Sequence, residues 1–323
     1  MPAETAEVIE MEYDVVVVGG GAAGLSAGMM LGRSRRRVAV IDAGAPRNAP
    51  ATHLHGFLSR DGASPAELLA AGRAEVMGYG GEVITGRVRG IEHDGECRFV
   101  VRLDGGPELT TRGVLVATGL RDELPDLPGL RARWGNDVLH CPYCHGFEVR
   151  DAPIGVLGGD NRPFTLHQAA LVRQWSADVV FFPNRIVLTD EERERLTARG
   201  IRIVDGAVTR LDVREDRLHG VELADGRTVP RAAVFVGPRF VPHDELLTGL
   251  GCQVGENGWV STDATGRTSV PGVWAAGNVV DSPAQLITAA GAGSAAAVAL
   301  NHHLLAEDVE RAVTNYRAAG VVV

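Results

Sequence analysis

Hydrophobic residues in this chain come in short, β-branched blocks that end in glycine. Val15-Val16-Val17-Val18 runs into Gly19-Gly20-Gly21-Ala22-Ala23-Gly24, and a helix-like stretch from Leu25 to Leu31 follows. A continuous apolar run bounded by turn residues predicts a strand buried on both faces, so the local order is strand, glycine turn, helix. Val38-Ala39-Val40-Ile41 and Val114-Leu115-Val116-Ala117 predict two more such strands, the latter ended by Thr118-Gly119. Ile154-Gly155-Val156-Leu157-Gly158-Gly159 then repeats the opening pattern, and strands are expected again from Val179 to Phe182 and from Ile201 to Val204. Near the end, Val273-Trp274-Ala275-Ala276 predicts a buried strand turning at Gly277-Asn278, and Ala284 to Leu305 a long alanine-rich helix. Strands that alternate with helices point to an α/β fold with parallel sheets.

Two proline-rich stretches, Leu124-Pro125-Asp126-Leu127-Pro128-Gly129 and Gly237-Pro238-Arg239-Phe240-Val241-Pro242, read as chain crossings. One domain is therefore expected to be discontinuous, 1–122 and 246–323, with a second inserted at 123–245. A chain of 323 residues, 45% of them hydrophobic, has enough core for both. Four cysteines are too few for a secreted disulfide scaffold, and neither an N-terminal signal pattern nor a run of 18 apolar residues is present, so a soluble cytoplasmic enzyme is expected. A net charge of −9 argues against nucleic acid and anionic membranes as partners. The basic cluster Arg33 to Arg37 reads as a solvated turn.

Chemistry enters at two places. In the first glycine turn, Gly19 permits a tight turn, Gly21 lets the backbone approach a pyrophosphate, and Gly24 allows close helix packing. The helix N-terminus would offer free N–H groups to the phosphates. Asp42 ends the second strand 18 residues after Gly24, where an acidic group can accept hydrogen bonds from a ribose. The other place is Cys141-Pro142-Tyr143-Cys144, flanked by His140 and His145. Two thiols at this spacing can close a reversible disulfide, which exchanges through its thiolate. A zinc half-site, completed by Cys97, Cys252 or histidines, and a static bridge are the competing readings.

The order of GGGAAG, Asp42, Ala117-Thr118-Gly119, CPYC in the inserted domain and GVWAAGN near the C-terminus resembles the low-molecular-weight thioredoxin reductase family of FAD disulfide oxidoreductases. The resemblance spans nearly the whole chain. It implies two Rossmann-like (three-layer ββα) domains, FAD in the discontinuous one, and a homodimer. Carried over, Gly19, Gly21, Ala22, Ala23 and Gly24 would hold the FAD pyrophosphate and Asp42 the adenosine ribose, with Thr118 and Gly119 in the same site. Gly277 and Asn278 would lie on the ribityl phosphate side. Gln285 and Leu286 would open the last helix against the flavin, its positive end stabilising the reduced anion. Neither zinc nor any other metal is expected.

Departures from that family shape the functional reading. Its NADPH-binding turn reads GGGNTA or similar, whereas this chain has Gly158-Gly159-Asp160-Asn161-Arg162-Pro163. Asp160 brings a carboxylate and a Cβ where bare backbone should meet phosphate, and Pro163 lacks an N–H. Instead of a paired-arginine HRR segment the chain reads Phe181-Phe182-Pro183-Asn184-Arg185, so NADPH binding is doubtful on both counts. An intact FAD site beside a degraded NADPH site looks like the dithiol oxidases that close disulfides in small metabolites such as gliotoxin and holomycin. In that scheme a substrate thiolate attacks Cys141, a second one resolves the mixed disulfide, and Cys144 delivers the electron pair to the flavin C4a. Oxygen then yields peroxide. His145 stands where the reductases have an aspartate, and an imidazole can exchange protons at neutral pH. It would otherwise only satisfy a helix end. The alternatives are an NAD(P)H-fed reductase of a thioredoxin-like protein, an enzyme fed by another electron donor, and a flavin-binding sensor without turnover.

Cys97 and Cys252 read as small buried hydrophobes in strand regions. His53 and His55 lie in a glycine- and proline-flanked loop, Ala49 to Ser64, which reads first as a surface loop and second as a cover over flavin or substrate.

Overall fold

The computed structural model describes residues 11–95 and 98–319. Cys97 lies outside them. The chain packs as two compact units, one of Met1–Arg47, Ala66–Arg121 and Pro242–Val323, the other of Asn48–Pro65 and Asp122–Val241.

The first unit is built on a seven-stranded sheet. Its parallel part runs Glu82–Thr85, Val38–Asp42, Met11–Val18 and Glu108–Val116, with Val273–Ala275 pairing along the end of Glu108–Val116. Phe99–Leu103 and Val88–His93 extend it in antiparallel fashion. Parallel strands covered on both faces need apolar residues on both, which is why four consecutive valines suit the centre. Val15 and Val17 join a cluster with Leu25, Leu31 and Leu300, whereas Val16 and Val18 join the opposite one with Phe99 and Leu247. The first face is covered by the helices Ala22–Arg33 and Leu286–Ala318. They approach closely because their contact residues are small: a Cβ on Gly293 would lie 2.0 Å from the Ala23 carbonyl oxygen.

The last helix extends past the expected Leu305 to Ala318. Its second half has little apolar face and is held by charge: Arg112 binds Glu307 at 2.9 Å and Arg36 binds Asp308 at 2.7 Å. Arg36 thus belongs to a partly buried ion-pair network, not to a solvated turn. Cys252, placed by the sequence in a strand, follows the short helix Glu245–Gly249 in irregular backbone and is buried beside Thr268.

The second unit has a five-stranded parallel sheet, in the order Arg202–Ile203, Val179–Phe182, Ile154–Leu157, Ala233–Val236 and Val138–Leu139. The three-stranded antiparallel sheet Val208–Arg214, Arg217–Leu223 and Thr228–Pro230 accompanies it. Both units thus repeat the strand, glycine turn and helix that the hydrophobic pattern predicts. Leu120–Glu123 and Arg239–Pro242, the strands through which the chain crosses, pair with each other.

Candidate active site

The two glycine turns begin alike. The Gly19 amide donates to the Ile41 carbonyl at 2.8 Å, and the Gly158 amide to the Phe182 carbonyl at 2.8 Å. A Cβ on Gly19 would fall 2.3 Å from the Ala117 oxygen, and one on Gly158 would fall 2.2 Å from the Pro183 oxygen. Each first glycine therefore lets its turn press against the neighbouring strand end.

Beyond that point the turns diverge. In the first, Gly21 is the N-cap of Ala22–Arg33, extended at φ −81°, and a Cβ there would meet nothing within 4 Å. The amides of Gly21, Ala22, Ala23 and Gly24 have no hydrogen-bond partner among the described residues; intrahelical bonding starts with Leu25 N–H to the Gly21 carbonyl at 2.9 Å. Four unpartnered amides at a helix start, beside open space, are what a pyrophosphate needs. Gly24 is required for another reason, since a Cβ would sit 1.8 Å from the Gly19 carbonyl oxygen.

In the second turn Asn161 caps the helix Arg162–Val172, its side chain accepting from the Phe164 amide at 3.1 Å. The Arg162 amide donates to the Asp160 carbonyl at 3.1 Å, and Pro163 has no N–H. Three of the four positions that would bind an anion are thus satisfied or empty of a donor. The Arg162 guanidinium is engaged as well, forked onto Glu192. Asn184, in the segment replacing the arginine pair, accepts from the Val208 amide at 3.0 Å.

Around the first turn, the Asp42 carboxylate accepts from Gly44 N–H at 3.0 Å and from Arg73 at 2.7 Å. It also explains Gly20: a Cβ there would lie 2.4 Å from the Asp42 carboxyl carbon. Several expected cofactor residues spend their side chains on the protein itself. Thr118 donates its hydroxyl to the His243 carbonyl at 2.6 Å, while the Gly119 carbonyl accepts from the His243 amide. Asn278 donates to the carbonyls of Asp281, Ser282 and Ala284 and accepts from Arg47 at 3.2 Å. These bonds shape the turn leading to Gln285, the N-cap of Leu286–Ala318, which itself has no side-chain cap. Gly277, at φ +78°, packs against Ala23. The Thr118 hydroxyl and the Asn278 amide are thus engaged within the protein and hold the turns on which they lie. The residues present fit FAD.

Cys141 and Cys144 are joined as a disulfide, with Cα atoms 5.3 Å apart. Cys141 is the N-cap of the single helical turn Pro142–His145, where proline costs no hydrogen bond, and the amides of Cys144 and His145 both donate to its carbonyl. Gly146 closes the turn where a Cβ would press on the Trp175 ring at 2.8 Å. His140 is a packing residue, stacked on Phe164 and edge-on to Phe240, its carbonyl accepting from buried Gln168. His145 is different. Burial holds its pKa below the usual 6.5, with Glu148 pulling it up and His55 pushing it further down.

His55 comes from the loop Asn48–Pro65, which packs with this second unit. His53, His55, His145 and Glu148 line one cavity of about 550 Å³. Most of the loop is exposed, as a surface loop would be, but Leu54 is buried and His55 half-buried. Among the described residues no group of three or more His, Cys, Asp or Glu is arranged to hold a metal ion. Burial raises the Cys252 thiol pKa, consistent with an inert core position. Sequence reasoning missed Gly20, Arg73, Asn161 and Glu148; only Asn161, a capping residue followed by Arg-Pro, carried a local signal.

The chain matches the family described as pyridine nucleotide-disulphide oxidoreductase over residues 13–293. The thioredoxin reductase sirT of Leptosphaeria maculans is 31% identical over 314 residues, covering 92% of this chain and 96% of that protein. The crystal structure of HlmI superposes with a TM-score of 0.92 at 57% identity, covering 97% of this chain and 98% of that one. An oxidoreductase from Agrobacterium tumefaciens gives 0.85 at 36% identity, covering 91% and 99%.

Proposed function

The chain belongs to the pyridine nucleotide-disulphide oxidoreductase family, and from that premise we propose that it oxidises a small-molecule dithiol to a disulfide through Cys141 and Cys144. It is a thioredoxin-reductase-like flavin oxidoreductase; the direction of electron flow, the substrate and O2 as acceptor are our reading. One observation carries it. The N-cap and first three helical amides of the first glycine turn, Gly21 to Gly24, are unpartnered for a pyrophosphate, whereas at the same helix positions of the second turn, 161–164, only the Asn161 amide is, those of Arg162 and Phe164 being bonded and Pro163 having none. Electrons therefore have no evident entry from a nicotinamide dinucleotide, and a dithiol becomes the donor. We place FAD in the part expected at 1–122 and 246–323 and the disulfide in 123–245, joined there by the loop Asn48–Pro65, with a homodimer as the working form.

In this reading Gly21, Ala22, Ala23 and Gly24 bind the pyrophosphate through their amides, Asp42 the ribose, and the start of Leu286–Ala318 the flavin edge. FAD held there would supply the two-electron chemistry that links the reduced thiols to O2 and restores the Cys141–Cys144 disulfide. The rest is done by the chain. His145, neutral at pH 7 because burial lowers its pKa, takes the proton of a substrate thiol. The resulting thiolate bonds to Cys141 Sγ as the Cys141–Cys144 bond breaks, leaving the electron pair on Cys144. A second substrate thiolate displaces Cys141 and closes the product disulfide.

Anaerobic titration tests the proposal. Dithiothreitol should bleach the yellow protein and air should restore it with formation of peroxide, while NADPH and NADH should bleach it slowly or not at all. A relative named thioredoxin reductase favours the opposite direction, and rapid stoichiometric bleaching by NADPH would establish that direction instead.

A further inference from the structure

Dithiol oxidation releases two protons as well as two electrons, and a single imidazole can take only one proton at a time. His145 accepts the first when a substrate sulfur bonds to Cys141. The second thiol must also be deprotonated before its sulfur displaces Cys141, so the first proton has to leave His145 in between. A group beside His145 must therefore receive it.

We propose that His55 is that group, a positioning and relay residue that clears the first proton from His145 toward Glu148, Asp61 and solvent. The proposal rests on the reading of Cys141 and Cys144 as the thiol-exchanging pair. The electron pair ends on O2, which with the two protons gives H2O2, so no further reductant or oxidant is needed.

The geometry is specific. His55 Nδ1 lies 3.4 Å from Asp61 Oδ1 and its Nε2 lies 3.4 Å from Glu148 Oε1, so both ring nitrogens face a carboxylate. Its side chain is only 21% exposed, whereas Asp61 is 69% exposed and opens the path to water. Glu148 raises the His145 pKa and His55 lowers it, so both lie near enough to act on that ring. Around them the cavity is lined by His53, Arg133, Asp137, Asp216 and Arg217. Arg133 chelates Asp137 at 2.9 and 3.0 Å and also binds Asp216, which neutralises most of that wall.

The loop presenting His55 is shaped for the purpose. Leu54, 6% exposed, anchors it, with its amide donating to the Ala63 carbonyl and its carbonyl accepting from Gly62, both at 2.9 Å. His53 Nδ1 meets the Gly62 carbonyl at 3.1 Å. Asp61 is fixed in turn by the Gly56 amide at 2.9 Å, a bond that lowers its pKa and keeps it an anion facing His55. Gly135 packs so tightly on Pro50 that a Cβ would lie 2.9 Å away, which seats the loop on the wall of the cavity. A loop serving only as a connection would need none of this.

The test follows reduction of the Cys141–Cys144 disulfide itself, in FAD-loaded protein. Dithiothreitol is mixed with enzyme, the reaction is quenched by acid, free thiols are alkylated, and the reduced fraction is counted by mass spectrometry from pH 5.5 to 9. His55→Gln should keep FAD content and Tm while reducing about tenfold more slowly near pH 7, less than the full loss of a direct acid–base group. Its acid limb should move up in pH, because the imidazole that lowers the His145 pKa is gone, and Glu148→Gln should move the limb down. Added imidazole should restore the His55→Gln rate in a dose-dependent way. Equal rates for wild type and His55→Gln across the range would overturn the role, as would a slow variant with an unmoved limb and no rescue. If His55→Ala fails to fold, the Gln variant still decides. A wild-type disulfide that dithiothreitol does not reduce would instead sink the underlying reading of the pair.

Discussion

Gly21 and Gly24 lie in one turn, yet their replacement should fail in opposite ways. Gly21→Thr puts a branched side chain where the protein leaves open space, in an extended backbone that tolerates it. Threonine and glycine rank alike as N-caps, so the FAD-free protein should keep its stability within about 0.5 kcal/mol. The side chain should, however, push a pyrophosphate off the helix start. Losing two of the four available amide contacts, at about 1.5 to 3 kcal/mol each for a charged acceptor, weakens FAD binding by roughly 10² to 10⁴-fold. Gly24→Ala does the reverse. Its Cβ falls 1.8 Å from the Gly19 carbonyl oxygen, about 1.6 Å short of ordinary contact, so backbone must move. Overpacking of about 1 to 3 kcal/mol should exceed the helix-propensity gain of about 1 kcal/mol. Urea melts of flavin-stripped protein measure the stability, and titration with FAD measures the binding. Gly21→Thr binding FAD within threefold of wild type, or Gly24→Ala melting unchanged, would refute the assignment of this turn.

The cysteines should also separate. Cys144→Ser should trap a mixed disulfide through Cys141, visible as the added mass of the dithiol, whereas Cys141→Ser should show a long-wavelength charge-transfer band; the band in Cys144→Ser would exchange the two roles. His145→Ala should hold FAD and lower turnover roughly 10²-fold at neutral pH. Because burial places the His145 pKa below 6.5, wild-type activity should be on its plateau at pH 7 and fall as pH drops through that lowered value. A wild-type acid limb centred above 6.5, or full turnover of His145→Ala from pH 6 to 9, would remove His145 from the chemistry.

Local patterns carried much of the fold. The valine run, both glycine turns and the Cys-Pro-Tyr-Cys turn were readable because each depends on neighbours in sequence: apolar runs on burial, glycines on turn geometry, proline on the helix start. What escaped depends on contacts between distant segments. Gly20 is one of three consecutive glycines, and only the fold reveals that it makes room for Asp42. The last helix continues beyond its apolar stripe because Arg36 and Arg112 meet Asp308 and Glu307. Thr118 and Asn278 fit their motifs, but their hydrogen bonds to His243 and the 281–284 turn could not be read from them. The glycine- and proline-flanked loop drew notice to His55, but nothing local joined it to His145, more than eighty residues away in sequence.

That last separation limits how the protein can be rearranged. The chain passes between its two units four times, and the loop Asn48–Pro65 is a short excursion from the unit that holds the first glycine turn. Recombination that moves Asp122–Val241 into another scaffold would carry the disulfide, His145 and Glu148, but would leave His53 and His55 behind. The cavity would arrive with one wall missing. Shuffling along the apparent domain boundary therefore transfers thiol exchange without its surroundings, and a chimera keeps them only if the recipient supplies an equivalent loop from its own first unit.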